Sequence, residues 1–226
     1  MEPPIHHVVL LTLPVFKGVF YQFLEKHGND IAYNFVFDYD ELKTVTEKNR
    51  NAPALLISFG TGVIVPEKIL KKFHRAYNFH PAPPEYPGLD PHFFAVFDRV
   101  TTYGTTCHIM TEKVDSGPIV AVKRFPVEGS PHAMKLLDMT LNHTFEMINH
   151  VFQKILAEGI FPEPIDEKWG QVICTKALKK SLCKVDPLIE EEAFCHLLHS
   201  FQTGVGEQKN LYIDLHGHRF RYEGKI

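Results

Sequence analysis

The chain has 226 residues, of which 44% are apolar and 23% are charged, and its formal net charge at pH 7 is −3. These values are typical of a globular protein with one full core, with or without a small appendage. The slightly acidic balance argues against a large nucleic acid as partner, because no overall field attracts phosphate.

Cysteine and histidine spacing argues against both a disulfide framework and a metal site. The four cysteines are Cys107, Cys174, Cys183 and Cys195. None forms a CxxC pair, which predicts free thiols, buried or half-buried, in a reducing compartment. The pairs His6-His7 and His216-Gly217-His218 fit neither HExxH nor zinc-finger spacing, so no metal is expected.

The first apolar run, residues 8–13, predicts a buried strand. It lacks a basic region before it and is too short for a signal peptide or a membrane span. We therefore expect no membrane association and a cytoplasmic protein.

Short apolar runs alternate with helical patterns along the chain. The predicted strands cover residues 8–13, 31–37, 53–59, 76–80, 105–111 and 119–125. The predicted helices cover residues 15–26, 38–48, a short piece starting near 66, 91–97 and 130–158. This order predicts an α/β fold with a twisted, mainly parallel sheet and helices on both faces.

The last part of the chain predicts a small additional lobe. Residues 169–182 show no regular pattern, residues 189–201 predict a helix, and residues 211–221 predict a hairpin with its turn at His216-Gly217-His218. We expect a main domain over residues 1–185 and a small C-terminal helix and β-hairpin lobe over residues 186–226.

Residues 77–119 hold an amide, an imidazole and a carboxylate at predicted strand ends. Asn78 and His80 are two residues apart on one strand, so their side chains point to the same face. Asp115 lies at a bend between the next two strands, which can hold it close to His80. Acyl transfer needs an oxyanion donor, a group that exchanges protons near pH 7 and a residue that orients it. Taken singly, each residue also has an ordinary structural explanation, as a satisfied polar group or a turn former.

Four motifs follow one another in this stretch. They are Asn78-Phe79-His80-Pro81, Tyr86-Pro87-Gly88, Gly104-Thr105-Thr106-Cys107-His108 and Asp115-Ser116-Gly117-Pro118-Ile119. Their order and spacing resemble the catalytic signature of the 10-formyltetrahydrofolate-dependent formyltransferases. The resemblance extends more weakly over about residues 8–186 and is closest to the sugar N-formyltransferases. The resemblance implies a Rossmann-like formyltransferase fold, 10-formyltetrahydrofolate as co-substrate without a metal, and Asn78, His80 and Asp115 as the catalytic residues.

The resemblance also assigns supporting and binding positions. Thr106 and His108 are expected to support the catalytic residues, and Gly117 to provide backbone geometry. The pterin pocket is expected at Val63, Ile64, Val65, Thr111, Glu112 and Val114. Residues 63–65 have the alternative interpretation of being core only. Tyr86 is expected beside the acceptor. Lys17, after the first strand, is a candidate phosphate contact, with an ordinary solvated lysine as the alternative.

Departures from the family pattern bear on the acceptor. The loop of residues 81–86 is one residue shorter than usual and lacks the family's serine. The first strand lacks the glycine-rich turn with which ribotide enzymes hold phosphate. About forty residues follow Asp186, too few for the RNA-binding barrel of methionyl-tRNA formyltransferases.

A terminal helix and hairpin resemble those of the sugar N-formyltransferases, where such additions support dimerisation. We therefore expect a nucleotide-linked amino sugar as the acceptor, a role in polysaccharide biosynthesis, and a homodimer through the hairpin, unless the hairpin packs on its own domain. The alternatives are another small amine, a ribotide or methionyl-tRNA as acceptor, or a non-catalytic folate- or nucleotide-binding protein.

Overall fold

The computed structural model describes residues 4–27, 31–48, 54–201 and 210–223. Its main sheet has six strands in the order β2-β1-β3-β4-β5-β6. The strands are β1 His7–Thr12, β2 Ala32–Val36, β3 Ala54–Phe59, β4 Arg75–His80, β5 Thr102–Ile109 and β6 Ile119–Pro126. The first four pair in parallel, and β5 and β6 are antiparallel additions. The predicted α/β fold with a mainly parallel sheet is confirmed.

Helices cover both faces of this sheet. The helices of the described residues are α1 Lys17–His27, α2 Tyr39–Lys48, α3 Glu67–Leu70, α4 Pro91–Phe97, α5 Ala133–Phe152, α6 Lys176–Leu182 and α7 Glu191–Phe201. A 3₁₀ turn, Pro14–Phe16, precedes α1, and a π-helical turn, Gln153–Ala157, continues α5. Glycine and asparagine favour helix ends, which makes Gly28-Asn29 the expected stop of α1, but these residues lie outside the described ranges.

The central strands are apolar because both of their faces are covered. Every residue of β1 and β3 is buried. On one face, α1 and α5 pack through Phe20 and Phe152. On the other, α2 and α3 pack through Leu42 and Ile69.

The segment expected to be irregular contains a helix, so that prediction is wrong over Lys176–Leu182. Thr175 caps this helix, because its hydroxyl accepts a hydrogen bond from Leu178 N at 3.0 Å. Alanine, leucine and lysine, which favour helix, fill the turn that follows. A helix of seven residues makes only about two turns, which is too short to show a clear apolar repeat in the sequence.

The chain after α6 packs on the main domain as well as on itself. The hairpin strands are β7 Tyr212–Leu215 and β8 His218–Arg221. Leu211 and Phe201 are fully buried in one cluster with Tyr103 of β5. The division into residues 1–185 and 186–226 stays a prediction.

Candidate active site

Strand register brings four of the expected site residues to one face of β4 and β5. Asn78 lies opposite His108, and His80 lies opposite Thr106. Because side chains alternate along a strand, these four point to the same side of the sheet.

Asp115 completes the cluster from the β5–β6 turn, where it adopts a φ of 40°. Its Oδ2 accepts a hydrogen bond from Gly88 N at 2.8 Å and lies 3.4 Å from His80 Nδ1. Its Oδ1 lies 3.2 Å from His108 Nε2 and 3.5 Å from Asn78 Nδ2. The amide, both imidazoles and the carboxylate therefore converge.

The outer nitrogens of the two imidazoles both face backbone carbonyls. His80 Nε2 is 2.8 Å from Tyr86 O, and His108 Nδ1 is 3.0 Å from Ile109 O. A carbonyl only accepts, so each ring donates outward. The nitrogens that face Asp115 then carry a proton only when the ring is cationic. The cluster can therefore take up one proton and share it with the carboxylate.

Burial and charge set the resting protonation. Burial lowers the pKa of His80 below its usual value, and the attraction of Asp115 opposes this only in part. Burial would raise the pKa of Asp115, but His80, His108 and the Gly88 N–H together lower it below the usual value. Gly88 N–H remains a donor whatever the charge on His80. We therefore take Asp115 as ionised and His80 as neutral near pH 7.

The three positions expected in supporting roles, Thr106, His108 and Gly117, make specific contacts. A Cβ on Gly117 would lie 1.8 Å from Ile109 O, so only glycine allows the Asp115 turn to approach β5 this closely. The Thr106 hydroxyl donates to Ala82 O at 2.8 Å, which fixes the start of the proline-rich loop. His108 does more than was expected, because it contacts Asp115 directly.

A cavity of about 560 Å³ opens where α3, the start of β4 and the end of β5 meet, beside Ala76, two residues before Asn78. Thr111 and Glu112, two of the expected pterin contacts, line it. Of the others, Val63 is half-buried and Val65 is buried, whereas the side chains of Ile64 and Val114 are 62% and 51% exposed. The pterin contacts of all six stay predictions.

The expected acceptor residues are engaged with the protein. Tyr86 donates its hydroxyl to Asp98 Oδ2 at 2.8 Å. Lys17 Nζ lies 5.5 Å and 5.4 Å from the ring centroids of Tyr21 and Phe35, at the β2 edge of the sheet. Both acceptor contacts stay predictions.

Sequence reasoning missed Trp169. Its Nε1–H donates to Gly117 O at 2.8 Å. Its ring centroid is 5.0 Å from that of His108 and 6.0 Å from that of His80, both in edge-to-face geometry. The available signal was that this is the single tryptophan of the chain.

Three of the four thiols are buried as expected, and Cys195 is exposed. All four are free. Within the described ranges, no group of three or more His, Cys, Asp or Glu side chains is arranged to hold a metal ion. No helix among those residues has the length and apolar character to cross a membrane.

Comparison with known proteins identifies the family. A family model described as formyl transferase matches residues 38–150, half of the chain, and this range holds Asn78, His80 and Asp115. A methionyl-tRNA formyltransferase of Listeria welshimeri is 28% identical over 130 residues, which is 55% of this chain and 42% of that protein. The chain thus aligns with less than half the length of this relative.

Solved structures share the fold. A sugar N-formyltransferase from Shewanella superposes with a TM-score of 0.76 at 15% identity, covering 98% of this chain and 97% of the other. An N-formyltransferase from Helicobacter canadensis, in complex with folinic acid and dTDP-3-aminofucose, gives 0.67 at 14% identity, covering 94% and 85%. At such identities the likeness concerns the fold. With the match over residues 38–150, the chain belongs to the formyl transferase family.

Proposed function

We propose that this protein transfers a formyl group from 10-formyltetrahydrofolate to the amine of a nucleotide-linked amino sugar. The observation that carries the proposal is the convergence of Asn78, His80 and Asp115 on one face of the sheet. It supports acyl transfer because it joins an oxyanion donor to a proton-accepting cluster.

Asn78 donates to the oxyanion that develops when the amine attacks the formyl carbon. Its side-chain amide has two N–H donors, and Nδ2 lies 3.1 Å from His108 Nε2. One N–H can hold to the cluster while the other points to the reacting carbonyl. Preorganisation by the cluster lowers the barrier because the donor need not reorient.

His80 and Asp115 receive the proton that the amine releases, and the imidazolium returns it to the departing nitrogen of tetrahydrofolate when the tetrahedral intermediate collapses and the bond between that nitrogen and the formyl carbon breaks. The inward nitrogen of His80 is unprotonated at rest and lies 3.4 Å from Asp115 Oδ2. The carboxylate stabilises the imidazolium once it forms. Gly88 N–H and the Asn78 side-chain amide donate to the two carboxylate oxygens and so keep Asp115 in place.

We place the pterin in the cavity beside Ala76, because two of the six expected contacts, Thr111 and Glu112, line it. Its volume of about 560 Å³ is in the range of small-molecule sites. Leu70 and Met110 supply apolar wall, while Thr111 and Glu112 supply polar groups for the edge of a heterocycle.

Two observations support a nucleotide-linked amino sugar as the acceptor. The superposition with sugar N-formyltransferases extends over nearly the whole chain. The N-formyltransferase from Helicobacter canadensis, which shares the fold, was solved in complex with dTDP-3-aminofucose. The sequence match to methionyl-tRNA formyltransferases favours methionyl-tRNA as a second candidate.

We also infer a homodimer through the hairpin. Phe220 is 54% exposed on β8. Tyr212 on β7, by contrast, is buried against its own domain. A Phe220→Glu variant should run as a monomer in light-scattering chromatography, and an unchanged mass would remove this inference. The cytoplasmic location and the role in polysaccharide biosynthesis stay predictions.

The deciding experiment is formylation of a panel of dTDP- and UDP-linked amino sugars, with methionyl-tRNA and glycinamide ribotide as alternative acceptors. Mass spectrometry should show one sugar gaining the mass of CO, with the His80→Asn variant as the inactive control. Formylation of another acceptor would refute the amino sugar. No product from any acceptor, with folate still bound, would favour the non-catalytic alternative.

A further inference from the structure

Residues 165–174, here called the strap, lie across the site from β6 to the proline-rich loop. Backbone hydrogen bonds fix the strap at both ends. They join Ile165 N to Ile119 O at 2.8 Å, Gly170 N to Pro84 O at 2.8 Å and Cys174 N to Pro87 O at 2.7 Å. A Cβ on Gly170 would lie 2.4 Å from Glu85 O, so glycine allows the two backbones to touch.

One guanidinium also fastens the strap to the loop. Arg124 Nη1 lies 2.7 Å from Glu167 Oε1 in the strap, and Nη2 lies 2.8 Å from Glu85 Oε1 in the loop. These pairs are partly exposed, so each adds little stability alone. Together with the backbone hydrogen bonds, these ion pairs fix the position of the strap on both sides of Trp169.

Trp169 lies between these attachments and contacts the residues of the site. Its Nε1–H donates to Gly117 O, two residues after Asp115. Its ring meets His108 at an interplanar angle of 89° and His80 at 65°. One side chain thus contacts the turn that carries the carboxylate and both rings that face it.

We propose that Trp169 is a positioning residue for formyl transfer, which holds the Asp115 turn through its indole N–H and keeps water from His80 and His108. This inference rests on the proposed function. Water kept out strengthens the interactions within the cluster, because they act in a lower dielectric.

The groups that face His80 decide what loss of the indole does. They are the Asp115 carboxylate, the His108 ring and the Tyr86 carbonyl, and the charge of Asp115 also acts on the Cys174 thiol. Burial is the largest influence on the pKa of His80 and lowers it. Admitting water should therefore raise that pKa toward its usual value.

The experiment compares Trp169→Phe and Trp169→Ala with Val172→Ala. Val172 is on the same strap and 66% exposed, so it controls for strap changes that leave the indole in place. Histidine resonances followed by NMR should show the pKa of His80 rising in Trp169→Ala. Trp169→Phe, which keeps a ring but loses the N–H, should shift it less.

Activity gives a second readout. Trp169→Ala should lower kcat roughly 10- to 100-fold with little change in KM, because misplacement of the cluster affects the transition state more than binding. The acid limb of the kcat/KM profile should move to higher pH with the NMR pKa. Val172→Ala should match the wild type in both.

The single tryptophan provides a third readout in the unaltered protein. All indole emission comes from Trp169, and a protonated imidazole in ring contact quenches indole fluorescence. The emission should fall on acidification with the midpoint that NMR gives for His80. A flat emission across that range would overturn the contact.

These readouts separate the two proposals. A shifted His80 pKa without formylation of any acceptor leaves the shielding by Trp169 intact and refutes the proposed function. Formylation with unchanged kcat and histidine pKa values in both Trp169 variants refutes the positioning role. If Trp169→Ala does not fold, Trp169→Phe and the fluorescence titration decide.

Discussion

The two faces of β4 and β5 use the same backbone for opposite tasks. On one face Tyr77, Phe79 and Cys107 are buried in the apolar core under α1 and α5. On the other face His80 and His108 are buried at 5% and 2% exposure. Burial is therefore common to both faces. What differs is how burial is stabilised, by apolar contact on one face and by hydrogen bonds from the imidazoles to the Tyr86 and Ile109 carbonyls on the other.

The comparison predicts that polar changes on the site face alter the rate and apolar changes on the core face alter stability. Asp115→Asn should give the largest effect. The amide retains an acceptor for Gly88 N–H but no charge to stabilise an imidazolium. We expect formyl transfer to fall about 10²–10⁴-fold in single-turnover assays. Activity within tenfold of the wild type, in protein with an unchanged circular dichroism spectrum, would remove Asp115 from the chemistry.

Phe79→Ala tests the core face at the residue between Asn78 and His80. Phe79 is 1% exposed, so its truncation should lower the free energy of unfolding by about 3–5 kcal/mol in urea titrations. The folded fraction should keep its kcat. The matched variant Asn78→Ala should do the reverse, raising the barrier by about 2.7–4 kcal/mol with little change in unfolding. Equal effects of the two variants on both quantities would contradict the division.

Gly117→Ala tests whether the close approach of the Asp115 turn to β5 is needed for activity and stability. The added methyl would lie 1.8 Å from Ile109 O, so the turn must move and take Asp115 with it. We expect roughly 10²-fold lower kcat and about 1–3 kcal/mol lower stability. Gly18→Ala in α1 is the control, because a Cβ there meets nothing within 4 Å. Equal behaviour of the two variants would show that the close approach is unimportant.

His92→Leu should have the smallest effect, which is on the pH dependence of stability. It compares the site histidines with a buried histidine that lies outside the cluster around Asp115. Burial lowers the pKa of His92 to about 4, and its Nδ1 finds no hydrogen-bond partner within the part of the chain that is described. Since the folded pKa lies below the unfolded value, the unfolded state binds more protons as the pH falls from about 6.5 to 4. Stability is therefore lost across that window, by up to about 3 kcal/mol.

Replacement by leucine should flatten this loss in thermal or urea unfolding at a series of pH values. Part of the slope should persist, because the pKa of His80 is lowered in the same sense. A pH dependence identical to that of the wild type would show that His92 is already protonated, or exposed, in the folded protein.

Local pattern was enough to predict the sheet. Uniform apolar runs predict β1 and β3 because both faces are covered. The long apolar stripe in α5 likewise predicts a helix, although the helix begins at Ala133, three residues later than expected, with His132 as its cap. End positions shift because capping contacts, rather than periodicity, decide them.

Part of the site was predictable and part was not. The order of the motifs pointed to Asn78, His80 and Asp115, and strand alternation placed the first two together. The direct contact of His108 with Asp115 depends on how the β5–β6 turn folds back on β5, with Gly117 against Ile109 O, which no local pattern specifies. Trp169 meets Gly117 across 52 residues of sequence, so its role emerges only in three dimensions.

Trp169 also lies outside the range that the family model matches, whereas the three signature residues lie inside it. Natural variation at this one position can therefore retune the acidity of the imidazoles while every diagnostic motif stays intact. Relatives grouped together by signature would then differ in the pH at which they work best, and a survey of optimum pH against the residue over the histidines would reveal subclasses that motif searches merge.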